Sequence, residues 1–185
     1  MRLLSHDTRS VSCRSRKVNS LPSLMAQIRL RDEVIQQLIK ERKALPSGLF
    51  SGRVLTTRNG HFRKDFPLSP TRSGNEFMVK IRQSIINPAD FSVILCYRMP
   101  GLNTFFKLRR YNGKHTHTNT IEGNRFHDFH VHTATERYQK KGVQEELFAE
   151  ISTRHYDLQS AVECLIADCG FDTTFSDLPL FRNNP

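Results

Sequence analysis

The chain has 185 residues, 37% of them hydrophobic, with thirteen Phe, no Trp and a formal net charge of +10. That length fits one compact domain with appendages, and the charge favours a polyanionic partner, nucleic acid or an acidic protein. No apolar run approaches membrane-spanning length and no signal-peptide core is present, so no membrane association is expected and the cytoplasm is the expected location.

Residues 1–24 are rich in Ser and Arg, with Asp7 the only acid. They read as a disordered basic arm, or as an upstream extension with Met25 the natural start, in preference to an organellar transit peptide. A single domain is expected over 25–172 and a weakly structured tail over 173–185. Within the domain, residues 30–43 place Leu30, Val34, Ile35, Leu38 and Ile39 on one stripe, which predicts an amphipathic helix ended by Pro46-Ser47-Gly48. Asn59-Gly60 sits between two strand-like runs, and a tight hairpin turn needs the positive φ that this pair tolerates. Pro67, Pro70 and Gly74 mark a loop. From Glu76 to Ser84 the pattern alternates, with Phe77, Val79 and Ile81 on one face and Met78, Lys80 and Arg82 on the other.

Asn87-Pro88 is a turn, Phe91 to Arg98 an apolar central strand, and Pro100-Gly101 another turn. The next strand is expected from Thr104 to Tyr111, ending at Asn112-Gly113, with a loop carrying His115, His117 and Asn119. Phe126 to Thr133 is a further strand, and 139–146 a polar connection. Asp157 can cap a last helix whose Leu158, Ala161, Val162, Leu165 and Ile166 form a core stripe, with Gly170 as its stop. The order helix, five or six antiparallel strands, helix predicts an α+β domain. Its N-terminal and C-terminal helices would pack on one face of a meandering sheet and leave the other face open to a ligand. The four cysteines form no C-x-x-C pair, which fits reduced usage.

Five of the eight histidines fall between Arg109 and Tyr138. Alternation along R-F-H-D-F-H-V-H-T points Phe129 and Val131 to the core and sets Asp128, His130 and His132 in a row on the polar face. The loop would bring His117 over the same face. Two histidines near neutral pH can serve as base and acid in RNA transesterification, with cations where charge builds on the phosphate. On that leading reading His130 and His132 are the pair, His117 an auxiliary, and Glu136 or Tyr138 substitutes in proton transfer. Arg109, Arg110 and Arg137, with Lys80 and Arg82 on the sheet, would hold nucleic acid. No metal and no cofactor is assigned on this reading. Two alternatives stand beside it: a non-catalytic module for nucleic acid or an acidic partner, and a metal-dependent enzyme in which H-x-H is completed as a ligand set by His117, Asp128 or Glu136. For any one histidine, a bond to backbone or a neighbouring carboxylate is the commoner role.

Arg109-Arg110-Tyr111, then His117-Thr118-Asn119, then His130-Val131-His132 resembles a family of small uncharacterised bacterial proteins. That family has a basic strand, an H-T-N loop, an H-x-H strand and an acidic-aromatic pair. The likeness spans roughly Leu30 to Gly170, and only 109–138 is specific; the spacing from His132 to Glu136 and Tyr138 departs from the pattern. The block is also similar to TumE-type components of toxin–antitoxin systems. That resemblance implies a growth-inhibiting bacterial toxin encoded with an antitoxin; joined to the RNA reading above, the expectation is a toxin-type, metal-independent endoribonuclease with an acidic antitoxin protein as partner.

Overall fold

A computed structural model describes residues 29–172, apart from 47, 50–55, 143 and 145. The arm, the alternative start at Met25 and the C-terminal tail lie outside the described residues.

The first apolar stripe folds as α1 (Asp32–Lys40), which buries Ile35, Leu38 and Ile39. It stops before the expected end because Glu41 turns extended and Lys43–Ala44 becomes a short strand, β1. β1 pairs in parallel with β9 (Phe171–Asp172). Lys43 holds this junction. Its buried Nζ donates to the carbonyls of Leu38 at 2.8 Å, Ile39 at 3.0 Å and Glu41 at 2.6 Å, and to Cys169 at 3.1 Å. These carbonyls belong to the ends of α1 and of α3 (Leu158–Asp168), where the helical ladder supplies no N–H. The Asp157 side chain and Ser160 close a capping box at the start of α3, so the expected cap is present.

Six strands follow in chain order as an antiparallel meander: β2 (Thr56–Arg58), β3 (His61–Pro67), β4 (Phe77–Ser84), β5 (Phe91–Arg98), β6 (Phe105–Thr118) and β7 (Arg125–Thr133). After a short helix α2 (Glu136–Lys140), β8 (Ala149–Ile151) adds to β7 as a seventh strand. The domain is therefore α+β around one antiparallel sheet. Asn59 and Gly60 turn the β2–β3 hairpin with φ of 51° and 72°.

Antiparallel pairing sorts the side chains, because partners across a ladder share a face. Val79 and Ile81 of β4 lie opposite Leu95 and Val93 of β5, and all four are core residues. α3 packs on this side, where Tyr111 of β6 donates its hydroxyl to Asp168 of α3 at 2.7 Å. The other side carries Lys80 and Arg82 of β4, Ser92, Ile94 and Cys96 of β5, and the polar row of β6.

β6 runs seven residues past its expected end and reaches Thr118, so His115 and His117 stand on a strand and not in a loop. Two bulges make this possible. Lys107 pairs with Cys96 and Arg109 with Leu95, so Leu108 is an extra residue. Asn112 pairs with His130 and the next register is His115 with Asp128, so a second extra residue falls at 113–114. Gly113 is required there: a Cβ would stand 1.8 Å from the Ala89 carbonyl oxygen, while Lys114 N–H donates to that oxygen at 3.0 Å.

Gly113→Ala is expected to lower the unfolding free energy by about 2–4 kcal/mol in urea denaturation, an overpacking effect against rigid backbone. Gly101→Ala meets only the positive-φ penalty, with open space around it, and is expected to cost about 1 kcal/mol. Equal losses for the two would contradict the close approach.

Candidate metal centre

His130 and His132 stand two residues apart on β7, on the face opposite α3, and both are buried. The bulged end of β6 brings His117 onto the same face. One nitrogen of each ring lies within 4.8 Å of one on the other two. The His117 ring stacks on His130 with centroids 5.3 Å apart and meets His132 edge-on at 4.7 Å. His115 sits edge-on to His130 at 4.6 Å, at the rim.

The proton on each ring follows from its partners. His130 Nδ1 lies 2.7 Å from the Asp128 carbonyl and His132 Nδ1 2.7 Å from the Glu146 carbonyl. A carbonyl only accepts, so both Nδ1 atoms carry hydrogen and both Nε2 atoms hold the lone pair. His117 Nε2 lies 3.0 Å from the Leu147 carbonyl and 3.1 Å from Asn119 Oδ1. Asn119 is oriented by Ala149 of β8, whose N–H it accepts and whose carbonyl it donates to, both at 2.8 Å. His117 therefore donates from Nε2 and keeps its lone pair on Nδ1.

Asn112, opposite His130 on β6, reaches both inner nitrogens: its Nδ2 is 3.3 Å from His130 Nε2 and 3.0 Å from His132 Nε2. Arg110, opposite His132, approaches His132 Nε2 at 3.3 Å. Burial, and then the positive neighbours, disfavour the charged imidazoles. His130 is pulled down to about 4, and His132 is driven lower still by burial and Arg110. Both rings are neutral bases at physiological pH.

Beside them lies a buried carboxylate. Glu146 is fully buried, with Oε1 2.5 Å from Lys107 Nζ and 3.8 Å from Arg110. Its Oε2 and the Asn112 Oδ1 have no hydrogen-bond partner among the described residues. A buried site with unsatisfied acceptors beside imidazole lone pairs is chemically suited to a cation.

The other residues singled out from sequence divide. Arg110 joins the histidines. Lys80 and Arg82 share their sheet face, Lys80 pairing with Asp65 at 3.5 Å and Arg82 with Asp90 at 3.2 Å. They line a groove of 420 Å³ with Arg63, Lys64, Asp65 and Ile94. Arg109 points the other way, toward Asp168 of α3 at 3.7 Å and the Tyr111 ring. Adjacent residues of a strand face opposite ways, so it does not share the polar face with Arg110. On α2, Glu136 pairs with Lys140 at 2.6 Å, Arg137 pairs with Glu122 and covers Phe148, and buried Tyr138 donates its hydroxyl to Glu122 at 2.7 Å. Arg137 and Tyr138 thus share Glu122, while Glu136 is engaged by Lys140. Asp128 uses a carboxylate oxygen on the Phe129 N–H at 2.9 Å.

Sequence inspection missed Asn112, Lys107 and Glu146. The first two were legible once the β6 register was known. Glu146 had no local signal, being the second of two glutamates in a stretch read as a polar connection. His155, which carries no pattern in sequence, is buried behind the sheet with Nε2 2.9 Å from the Asn112 carbonyl.

No protein-family model, curated protein or solved structure matches this chain.

The neutral histidines make the metal-free fold acid-sensitive. The unfolded chain binds protons near 6.5 while folded His130 resists them to about 4, so stability rises with pH across that window and is lost as pH falls through it. His130 alone is expected to account for about 3 kcal/mol. Urea titrations of the metal-free protein at pH values from about 7 to 4.5 should show the loss, and His130→Gln should make it smaller. A flat wild-type profile would contradict the burial argument.

Proposed function

We propose that His117, His130 and His132 form a divalent-metal centre and that the chain is a metal-dependent enzyme acting on a polyanion, with RNA the substrate class put forward. The observation that carries this is the proton assignment. All three rings donate their outer N–H to a backbone carbonyl or a fixed amide, which leaves one basic nitrogen each. That pattern is how proteins orient imidazole ligands and raise their basicity. Imidazole ligands suit zinc, copper, iron or nickel. A bound ion would supply Lewis acidity or an activated water.

The chain's own residues supply the rest. Lys107 and Arg110 put positive charge beside the centre, and the groove around Lys80 and Arg82 extends the basic face across β4 and β3. Phosphate contacts by such residues position a nucleic acid without reading its sequence. An acidic antitoxin protein is the partner class that would compete for the same face. The cytoplasm is the proposed location: Cys96, Cys164 and Cys169 are free and buried, and no described helix is long and apolar enough to cross a membrane.

The metal reading is preferred to a two-histidine acid–base pair because that mechanism needs one imidazolium. Here burial and positive neighbours keep both inner rings neutral, which is the form that ligates a metal.

Purified full-length protein should retain about one transition-metal ion per chain. It should cleave mixed-sequence labelled RNA, and EDTA should abolish cleavage until zinc or nickel is restored. His130→Ala and His132→Ala should each weaken metal binding by about 100-fold or more, since each removes a ligand atom outright. Cleavage that survives EDTA would return the histidines to acid–base roles. Salt-sensitive RNA binding without cleavage would leave a binding module.

A further inference from the structure

Resting on that metal reading, we infer that Asn112 is a fourth ligand, which holds the two inner imidazoles through its amide nitrogen in the metal-free form and binds the ion through Oδ1 after the amide turns over.

Three observations support this. The Asn112 amide nitrogen lies 3.3 Å from His130 Nε2 and 3.0 Å from His132 Nε2. Two atoms bound to one ion at about 2.0–2.1 Å stand about 2.8–3.4 Å apart, from right-angled to tetrahedral geometry. The amide thus already occupies a ligand's place relative to both rings. Second, Asn112 Oδ1 is buried without a hydrogen-bond partner among the described residues. A half-turn of the amide exchanges an unpaired oxygen for an unpaired NH₂, so the number of unsatisfied groups does not change. Third, the backbone beneath is held: Asn112 pairs across the ladder with His130, and its carbonyl takes the His155 contact at 2.9 Å.

The two orientations answer to different states. Without an ion, both imidazole lone pairs need a hydrogen-bond donor, and the NH₂ group supplies it. With an ion, those lone pairs are taken, and an NH₂ directed at the metal would be repelled. The oxygen is then the favoured end. Asparagine is the residue type that can serve both states, since aspartate only accepts when ionised and leucine offers neither group. His117 is held by the Leu147 carbonyl and Asn119 and does not take part in the exchange.

The test compares full-length wild type with Asn112→Asp and Asn112→Ala, using Co(II) as probe and reading both affinity and visible absorption. Asn112→Asp is expected to bind Co(II) at least about tenfold more tightly, through a charged oxygen ligand, while the metal-free protein melts at a lower temperature. Asn112→Ala is expected to bind about 10- to 100-fold more weakly and to shift the ligand-field bands through loss of one oxygen. If Asn112→Asp fails to fold without metal, the Asn112→Ala spectrum decides alone. A wild-type-like spectrum and affinity in Asn112→Ala would overturn the assignment while leaving the three-histidine centre intact. No Co(II) or Zn(II) binding by wild type would overturn the centre itself.

Discussion

The register of β6 is the constraint on which the rest of this structure depends. Strict alternation from Lys107 would carry Arg109, Tyr111 and Gly113 to one face and Arg110, Asn112 and Lys114 to the other. The two extra residues break that rule twice. The first bulge puts Lys107 on the polar face together with Arg110 and Asn112, and sends Arg109 and Tyr111 to Asp168 of α3. The second resets the phase again, so that His115 and His117 join Asn112 and do not oppose it. One strand thereby serves both layers: its core residues anchor α3, and its polar residues meet His130 and His132 across the ladder. The second bulge rests on a single atom's absence, the Cβ of Gly113 against Ala89.

Polar groups gathered inside a sheet domain need mutual satisfaction, and the centre shows how far this goes. Backbone carbonyls of Asp128, Glu146 and Leu147 take the outer N–H of the three rings. The stretch around Glu146 and β8 therefore acts as a wall, fixing two rings through main-chain atoms while Asn119 ties the end of β6 to Ala149. The Glu146 carboxylate lies against Lys107, and a buried pair of this kind contributes little net stability but is costly to break from one side. Among the described residues, the buried side-chain atoms without a hydrogen-bond partner include the Asn112 oxygen, one Glu146 oxygen and His115 Nδ1 on this side of the sheet, besides His155 Nδ1 and the Nε of Arg98, Arg109 and Arg110. Structural cores seldom leave such groups without a function.

The scaffold behind the centre is rigid for separate reasons. α1 and α3 are joined at their C-terminal ends by the Lys43 ammonium, which substitutes for the donors that helix ends lack. Its burial draws its pKa down to about 8, and its position 4.4 Å above Phe77 adds a cation–π contact to the sheet. α3 in turn lies over β5 and β6, the strands that carry the polar row on their far side. A site built on strands held this way keeps its geometry better than one built on loops.

Much of this was legible in the chain itself. The Asn59-Gly60 turn, the strands Phe77–Ser84 and Phe91–Arg98, the Asp157 cap and the two helical stripes follow from local backbone preference and from periods of two and 3.6. So did the pairing of His130 with His132 on one face, because alternation within an unbroken strand is local. The grouping of Asn112 with them was not legible, and His117, expected over this face from a loop, reaches it on a strand, because a bulge shifts the phase of every residue beyond it. Its position depends on contact with Ala89, distant in sequence. Glu146 and the carbonyls that set each histidine's proton come from segments whose composition is unremarked polar chain. Sequence alone determined which residues lie on the same side of a regular strand; the tertiary structure decided which strands meet and in what register, since hydrogen bonding between distant segments, not local preference, sets that register.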